Sequence, residues 1–360
     1  MKLKVMQPGM LTTVQDEGRW GFQGKGMPVA GAMDLFALRS GNIMVGNDKR
    51  AAGLEVTVLG PTLSVVEGRG TAVVTGADLG FSVNGELFPC NVVVEVKEGD
   101  HLSFSGIKGN GCRAYLIFSG GIDVPVIMGS RSTYLRAHLG GLEGRALKKG
   151  DTFSTGEPHV LWERFIGFSC PASVLPGRQL DQPLRVVMGP QNDAFTDRGI
   201  ETFLSQTYTI SDSADRMGYR LEGPVIEHSG AADIISDAIP LGTIQIPGHG
   251  QPIAMLADRQ TTGGYTKIAV LCTPDIGALA QRLPGQKVRF QKISFEDAVA
   301  ATRKERSLLD GIHQLVATWI TPIASSTQTT STILEDTPRS GMWRLSIDGT
   351  GHTVHWERLD

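Results

Sequence analysis

The sequence predicts a mainly β fold with a few helices, organised as two barrels, and three observations carry that expectation. Glycine supplies 45 of the 360 residues and proline 18, scattered along the chain rather than gathered in repeats, which means many turns and so many short strands. Between residues 51 and 119, segments rich in β-branched and aromatic residues recur, each ended by a turn signal, as in an antiparallel barrel or sandwich. The segment VLGPTL at 58–63 is echoed by LEGPVI at 221–226, one in each half, which hints at two related barrels. The length suits two domains, with boundaries expected at 1–183 and 184–323 and a flexible segment plus terminal hairpin at 324–360.

Residues 2–6 alternate Lys, Leu, Lys, Val, Met and read as an opening strand stopped by Pro8-Gly9. Residues 11–34 hold five glycines, Asp16, Glu17, Arg19 and Asp34. So long a glycine-rich loop is either functional or disordered, and Val14, Trp20, Phe22 and Val29 would anchor it, so it reads as ordered. Asp34 caps a helix from Leu35 to about Val45. Then come the strands of 51–119, with Asn84-Gly85 making a tight hairpin and Glu98-Gly99-Asp100 turning the next pair. Residues 125–150 read as a basic irregular loop with a helical turn or two. It is either a solvated surface or a carboxylate or phosphate site gripped by Arg131 and Arg136.

The proline-rich stretch 170–183 reads as a linker. A strand follows at RVVMGP, then a helix from Asn192 to about Leu204, then strand, polar elbow and strand over 210–226. Thr273-Pro274-Asp275 opens a helix that Pro284-Gly285 ends. VRFQKIS is a strand, and Ser294 with Asp297 forms a capping box for a helix from Phe295 to about Ala317. Val299, Leu308, Leu309, Ile312 and Leu315 give that helix a packing stripe. The Ser/Thr-rich run 324–341 precedes a hairpin around Asp348-Gly349.

A net charge of −3 leaves no electrostatic footprint for nucleic acid or an anionic membrane. No apolar run approaches membrane-spanning or signal-peptide length, so the expected setting is cytoplasmic. Cys90, Cys112, Cys170 and Cys272 are far apart, without metal spacing, and read as buried reduced thiols, with no metal expected.

Residues 245–267, QIPGHGQPIAMLADRQTTGGYTK, organise the chain's chemistry. A turn and a short apolar run lead into a polar, glycine-broken elbow before a strand-like IAVLC at 268–272. Asp258, Gln260, Thr261, Tyr265 and Lys267 supply acceptors, donors and both charges, with Gln245 at the stretch's start, and Gly263-Gly264 lets backbone approach closely. A plain solvated turn would account for such a cluster too. No nucleophile elbow, phosphate loop or zinc motif appears. What remains are three polar elbows: Gln15/Asp16/Arg19/Asp34, Asp212/Asp215/Arg216 and Asp258/Gln260/Tyr265/Lys267. Singly, each could brace a loop. Together they could line a pocket for a small amide or ureido substrate.

At these same places the chain resembles a known family. TVQDEGRWGFQGKGMPVAGAMD, GNDKRAAGLEVTVLGP, SDSADRMGYRLEGP and GTIQIPGHGQPIAMLADRQTTGGYTKIA look like the biotin-dependent carboxyltransferase, or allophanate hydrolase subunit 2, family, over roughly residues 3–317. That family includes the C-type subunit of bacterial ATP-dependent 5-oxoprolinase, the antagonist of the sporulation-kinase inhibitor, and the second half of the urea carboxylase carboxyltransferase domain. The resemblance implies two cyclophilin-like β-barrel domains. It also implies partners: a B-type subunit of the allophanate hydrolase subunit 1 family, sharing the active site, and an A-type subunit. With them the chain would open 5-oxoproline to L-glutamate with ATP hydrolysis. The alternatives it implies are a carboxyltransferase half acting on a urea-like substrate with carboxybiotin, or a non-catalytic antagonist of a kinase-inhibitor protein.

By motif position, the resemblance makes Asp16, Asp258, Lys267 and Arg216 catalytic candidates. The two acids would act as N–H acceptors or bases, and the two cations as electrostatic stabilisers. Arg19, Asp34, Gln245, Gln260, Thr261 and Tyr265 become substrate-binding candidates. ATP is expected with the partner subunits. Biotin enters only through the urea carboxylase branch, and the chain has no biotin carboxylase region and no Ala-Met-Lys-Met type biotinyl-lysine motif.

Overall fold

Alternation of buried and exposed residues sets the first sheet: along Lys2–Gln7 the side chains of Leu3 and Val5 point into the core while both lysines face water. The structure, a computed structural model, describes residues 1–177 and 179–321, and the backbone of the strands Ser340–Ile347 and Thr350–Glu357. The first sheet runs, in spatial order, Ile122–Asp123, Thr152–Thr155, Lys2–Gln7, Thr62–Glu67, His101–Phe104, Phe81–Val83 and Glu86–Leu87. A second sheet runs Leu11–Gln15, Gly53–Thr57, Arg113–Phe118, Arg69–Gly76 and Val94–Lys97.

The strand Arg113–Phe118 is buried at every residue because both its faces are covered. Ala114, Leu116 and Phe118 join the core that also holds Leu3, Val5 and Phe81. Tyr115 and Ile117 point the other way, to helix α1 (Leu35–Met44), where they meet Phe36, Leu38 and Met44. Asp34 caps α1 by accepting from the Ala37 amide at 3.2 Å, so the capping expectation holds.

Asn84 and Gly85 take left-handed φ values of 52° and 85°, as a two-residue hairpin requires. Two readings change in this half. Leu11–Gln15 is a strand, not the start of a loop. The turn at 98–100 does not join a hairpin: the strand before it belongs to the second sheet and the strand after it to the first.

The third sheet is nine-stranded. It runs Lys287–Val288, Tyr208–Ile210, Gly218–Glu222, Ile253–Met255, Thr243–Ile246, Thr262–Leu271, Leu184–Met188 and Phe290–Lys292, with Asp233–Ala238 also paired to Thr262–Leu271. Its first and last members are separated in the chain by Arg289 alone, so the sheet curls round until its ends almost meet. Leu184–Val186 pairs in parallel with Phe290–Lys292. Inside lie Phe203, Tyr208, Ile244, Ile268 and Phe290, with Phe203 and Phe290 stacked at 4.6 Å.

Helix α2 spans Asp197–Ser205 and is capped by Thr196, whose Oγ1 accepts from Gly199 at 3.0 Å. The expected cap, Asn192, instead opens a 3₁₀ turn. Helix α3, Thr273–Ala280, carries Pro274 in its first turn. Helix α4 extends to Phe295–Ile320; Ser294 Oγ caps it by accepting from the Asp297 amide at 3.0 Å and donates to Asp297 Oδ2 at 2.8 Å, rather than leaving that carboxylate for the Ser294 amide. Ile312, Val316 and Leu308 pack it against α1, while Leu315, expected in the stripe, is exposed. The two echoed segments each carry the Gly-Pro pair just after a strand but differ beyond it: Thr62 opens a strand at once, whereas the chain after Pro224 stays irregular up to Asp233.

The four cysteines are free thiols. Burial pushes Cys90 up to about 12, with Asp78 adding to it, and Cys170 and Cys272 up to about 11. No helix of the described residues is long and apolar enough to cross a membrane. Residues Met1–Thr321 form one unit and Pro322–Asp360 a second. In the second, Ser340–Ile347 and Thr350–Glu357 pair antiparallel, from Ser340 with Glu357 to Ile347 with Thr350. The Ser/Thr-rich run before them, through residue 339, and the turn at 348–349 lie outside the described residues.

Candidate active site

The elbow between Tyr208–Ile210 and Gly218–Glu222 turns on Asp215, whose Oδ1 accepts from the amides of Met217 and Gly218 at 2.8 and 3.2 Å. That turn drives Arg216 inward, where it is 5% exposed. Its guanidinium forks onto Asp258, Nε to Oδ2 at 3.1 Å and Nη2 to Oδ1 at 3.0 Å. Nη1 donates to Glu55 Oε1, and Nη2 also donates to the Gly31 carbonyl at 2.5 Å. Burial works against this charge, but Asp258 and Glu55 outweigh it and hold the Arg216 pKa above its ordinary value.

Glu55 spends its other oxygen on the Tyr115 hydroxyl and the Met33 amide, each at 2.8 Å. Tyr115 in turn accepts from the Asp34 amide at 2.7 Å, and Asp34 Oδ2 accepts from Gln281 Nε2 at 3.0 Å. Burial, then Glu55 and Asp34, push the Tyr115 phenol well up, so it stays a donor. One buried network thus ties α1, the second sheet, the third sheet and the end of α3.

Asp16 closes the strand Leu11–Gln15. Its carboxylate accepts from Ser130 Oγ and the Arg131 amide, both at 2.6 Å, from the Gly18 amide at 2.8 Å, and from Ser132 Oγ. Arg19, fully buried, donates through Nη2 to the Ser132 carbonyl, while its Nε and Nη1 make no hydrogen bond. Burial lowers its pKa, and Asp16 and Asp258 partly offset that. In the basic segment, Arg131 reaches the Val124 carbonyl at 2.9 Å and Asp123 at 3.4 Å, and Arg136 reaches Asp215 at 3.6 Å.

The third motif differs in local structure from the sequence reading. Its polar run is not an elbow before a strand, because Thr262–Leu271 is continuous strand through both glycines. Gln260 and Thr261, just ahead of it, line a cleft of about 390 Å³ between Trp20 and Val29 on one side and Ile239 and Leu241 on the other. A side chain at Gly263 would put its Cβ 2.6 Å from Ile239, 2.9 Å from Gln260 Nε2 and 3.1 Å from Gln245 Nε2. These are ends of flexible side chains, so Gly263→Ala should cost under about 1 kcal/mol of stability. It should displace both amides, and urea unfolding of the variant checks the small cost.

Gln245, 2% exposed, donates to the Tyr265 carbonyl at 3.3 Å, and Tyr265 itself is 39% exposed. Lys267 is buried, and its ammonium lies 3.1 Å from Asp237 Oδ2. The pair is close in distance but outside hydrogen-bonding geometry, which leaves Nζ without a bonded partner. Asp237 is exposed, and Lys267 holds its carboxyl below the usual range.

Of the ten residues singled out from sequence, Asp34, Arg216 and Asp258 belong to the buried network, while Asp16 and Arg19 meet in a separate cluster at Ser132. Gln260 and Thr261 face the cleft. Gln245 and Lys267 face each other across paired strands, and Tyr265 lies two residues from Lys267 on the same strand. Sequence reasoning missed Glu55, Tyr115, Gln281 and Asp237. Among the described residues no cluster of His, Cys, Asp or Glu is arranged to hold a metal.

Residues 25–292 match the family model of the carboxyltransferase domain, subdomain A and B. The chain is 36% identical over 304 residues to the C-type subunit of the 5-oxoprolinase of Escherichia coli, covering 84% of this chain and 95% of that protein. It is 32% identical over 317 residues to the urea amidolyase of Lachancea kluyveri, covering 82% of this chain but 17% of that protein. Among solved structures, the urea amidolyase of K. lactis superposes with a TM-score of 0.80 at 30% identity, over 86% of this chain and 20% of that one.

Proposed function

Because this chain belongs to the carboxyltransferase domain, subdomain A and B, family, we propose that it is the C-type subunit of an ATP-dependent 5-oxoprolinase. With B-type and A-type partners it would open the lactam of 5-oxoproline to L-glutamate. The observation that carries this reading is the extent of one likeness, which runs through 95% of a 5-oxoprolinase C-type subunit. The likeness to urea amidolyase spans 17% of that much larger protein.

In this reading the cleft beside Gln260 and Thr261 takes the small lactam. The C–N bond breaks, water supplies hydroxide to the carbonyl carbon, and a proton goes to the departing nitrogen. Lys267, a buried cation with unspent donors, stabilises charge developing on the carbonyl oxygen. Gln245 and Gln260 offer amides, and Tyr265 a hydroxyl, to the ring's N–H and C=O. Arg216 and Asp258 act as positioning residues, since their polar atoms are spent on each other, on Glu55 and on Gly31. Asp16 and Arg19 hold the 130–140 loop, and Asp34 starts α1.

The residues present do not fit an ATP cradle. The glycine-rich run at 18–26 contains a single 3₁₀ turn, Gln23–Lys25, and does not open a helix whose N-terminal amides could take phosphate. We assign ATP to the partner subunits and no step to biotin. The test is glutamate release from 5-oxoproline and ATP, with this chain mixed with its A- and B-type partners. Release that requires this chain supports the reading. A stable complex that releases none overturns it in favour of a carboxyltransferase on a urea-like substrate or a non-catalytic antagonist.

A further inference from the structure

Among the described residues five arginines are buried: Arg19, Arg113, Arg216, Arg259 and Arg282. Four of them have acids close enough to support their charge. Arg19 has Asp16 and Asp258, Arg113 has Glu55, Arg216 has Asp258 and Glu55, and Arg282 has Asp275 and Asp181. Arg259 has none among the described residues. It is 6% exposed, its Nε donates to the Ile239 carbonyl at 2.9 Å and its Nη1 to the Leu256 carbonyl at 3.3 Å. Those two bonds fix the plane of the guanidinium without neutralising it. Nη2 makes no hydrogen bond to the described residues, yet it is not among the nitrogens sealed from solvent. Burial alone pushes the pKa down to about 10, so the group remains a cation at neutral pH.

A buried cation with no counter-ion is costly unless something supplies one. Arg259 lines the same cleft of about 390 Å³ as Gln260, Thr261 and Trp20. Trp20 is 53% exposed there, and its indole nitrogen is already spent on the Glu17 carbonyl at 3.0 Å, which leaves its ring faces for packing. The cleft therefore offers an apolar wall, amide and hydroxyl groups, and one fixed guanidinium edge.

We propose that Arg259 is the carboxylate-binding residue of this cleft, pairing the acid group of a small cyclic amide and selecting acids over neutral amides and ureas. This rests on the 5-oxoprolinase reading for the identity of the substrate, but not for the existence of the anion site. A guanidinium fork suits a carboxylate, and an uncharged urea would leave the cation buried and unpaired.

Two measurements separate the site from the activity. In the first, thermal unfolding of the full chain is followed with 5-oxoproline or its carboxamide. The acid should raise Tm and the carboxamide should not, and Arg259→Gln should abolish the acid's effect. In the second, the complex with both partners turns over the acid and the carboxamide in parallel. Arg259→Gln should cut the preference for the acid about 100-fold, chiefly through KM, and Arg259→Lys should keep part of it. A merely structural role would lower both substrates equally, and that result overturns the proposal. So does a wild-type Tm that the acid does not raise, or a rise that survives in Arg259→Gln. An acid-dependent shift lost in the variant, alongside a complex that releases no glutamate, keeps the site and discards the oxoprolinase reading.

Discussion

Arg216→Met lowers the free energy of unfolding by about 3–5 kcal/mol, the largest stability effect expected of any substitution at the site. The methionine fills similar space, so the loss is electrostatic rather than a cavity. It strands Asp258 and Glu55, at 4% and 2% exposure, with no cation between them, and frees the Gly31 carbonyl. Lysine at the same place restores little, because one ammonium cannot repeat a planar fork that meets two carboxylates and a carbonyl. Urea unfolding gives the number. A cycle with Glu55→Gln checks the cause, since the two losses should fall well short of additive. A variant as stable as the wild type would mean that the network contributes nothing.

Lys267→Met should do the opposite to stability and far more to turnover. The wild-type ammonium is 2% exposed, with a single counter-charge lying off the hydrogen-bonding direction. A methionine of similar length removes that desolvation cost, so Tm should hold or rise. If Lys267 stabilises the developing oxyanion, kcat of the complex falls about 100-fold with KM little changed. Gain in stability with loss of rate is the signature of a group kept for function. A fall in Tm with kcat retained would make Lys267 a brace for the strand Asp233–Ala238.

The fold is legible in the sequence wherever its cause is local. Asp34, Ser294 and Pro274 announce helix starts because caps act within three residues, and Asn84-Gly85 announces a turn because few residues accept its φ values. Thr196 and Asn192 are both good caps, and only the 3₁₀ turn at Asn192 decides between them in favour of Thr196. The strand through Gly263 and Gly264 is hidden because glycine ordinarily weakens strands, and here a close approach of neighbouring side chains at Gly263 favours it. Glu55 is illegible for a different reason. Between Leu54 and Val56 it reads as the solvent-facing member of an alternating strand. Its true partner, Arg216, is 161 residues away. Gln281 and Asp34, 247 residues apart, are alike in this. Buried polar pairs of that separation leave no mark in a local window, so the motifs reveal the members but not their bonds.

The meeting of the third sheet's ends at Arg289 has a consequence during synthesis. Leu184–Val186 leaves the ribosome long before Phe290–Lys292, its parallel neighbour, exists. Until then the nascent chain exposes two unpaired strand edges, along Tyr208–Ile210 and Leu184–Met188, beside the apolar lining it will later seal. Release of the polypeptide at residue 286 would therefore yield an open, self-associating product. The first two sheets, complete by residue 155, could already have condensed by then.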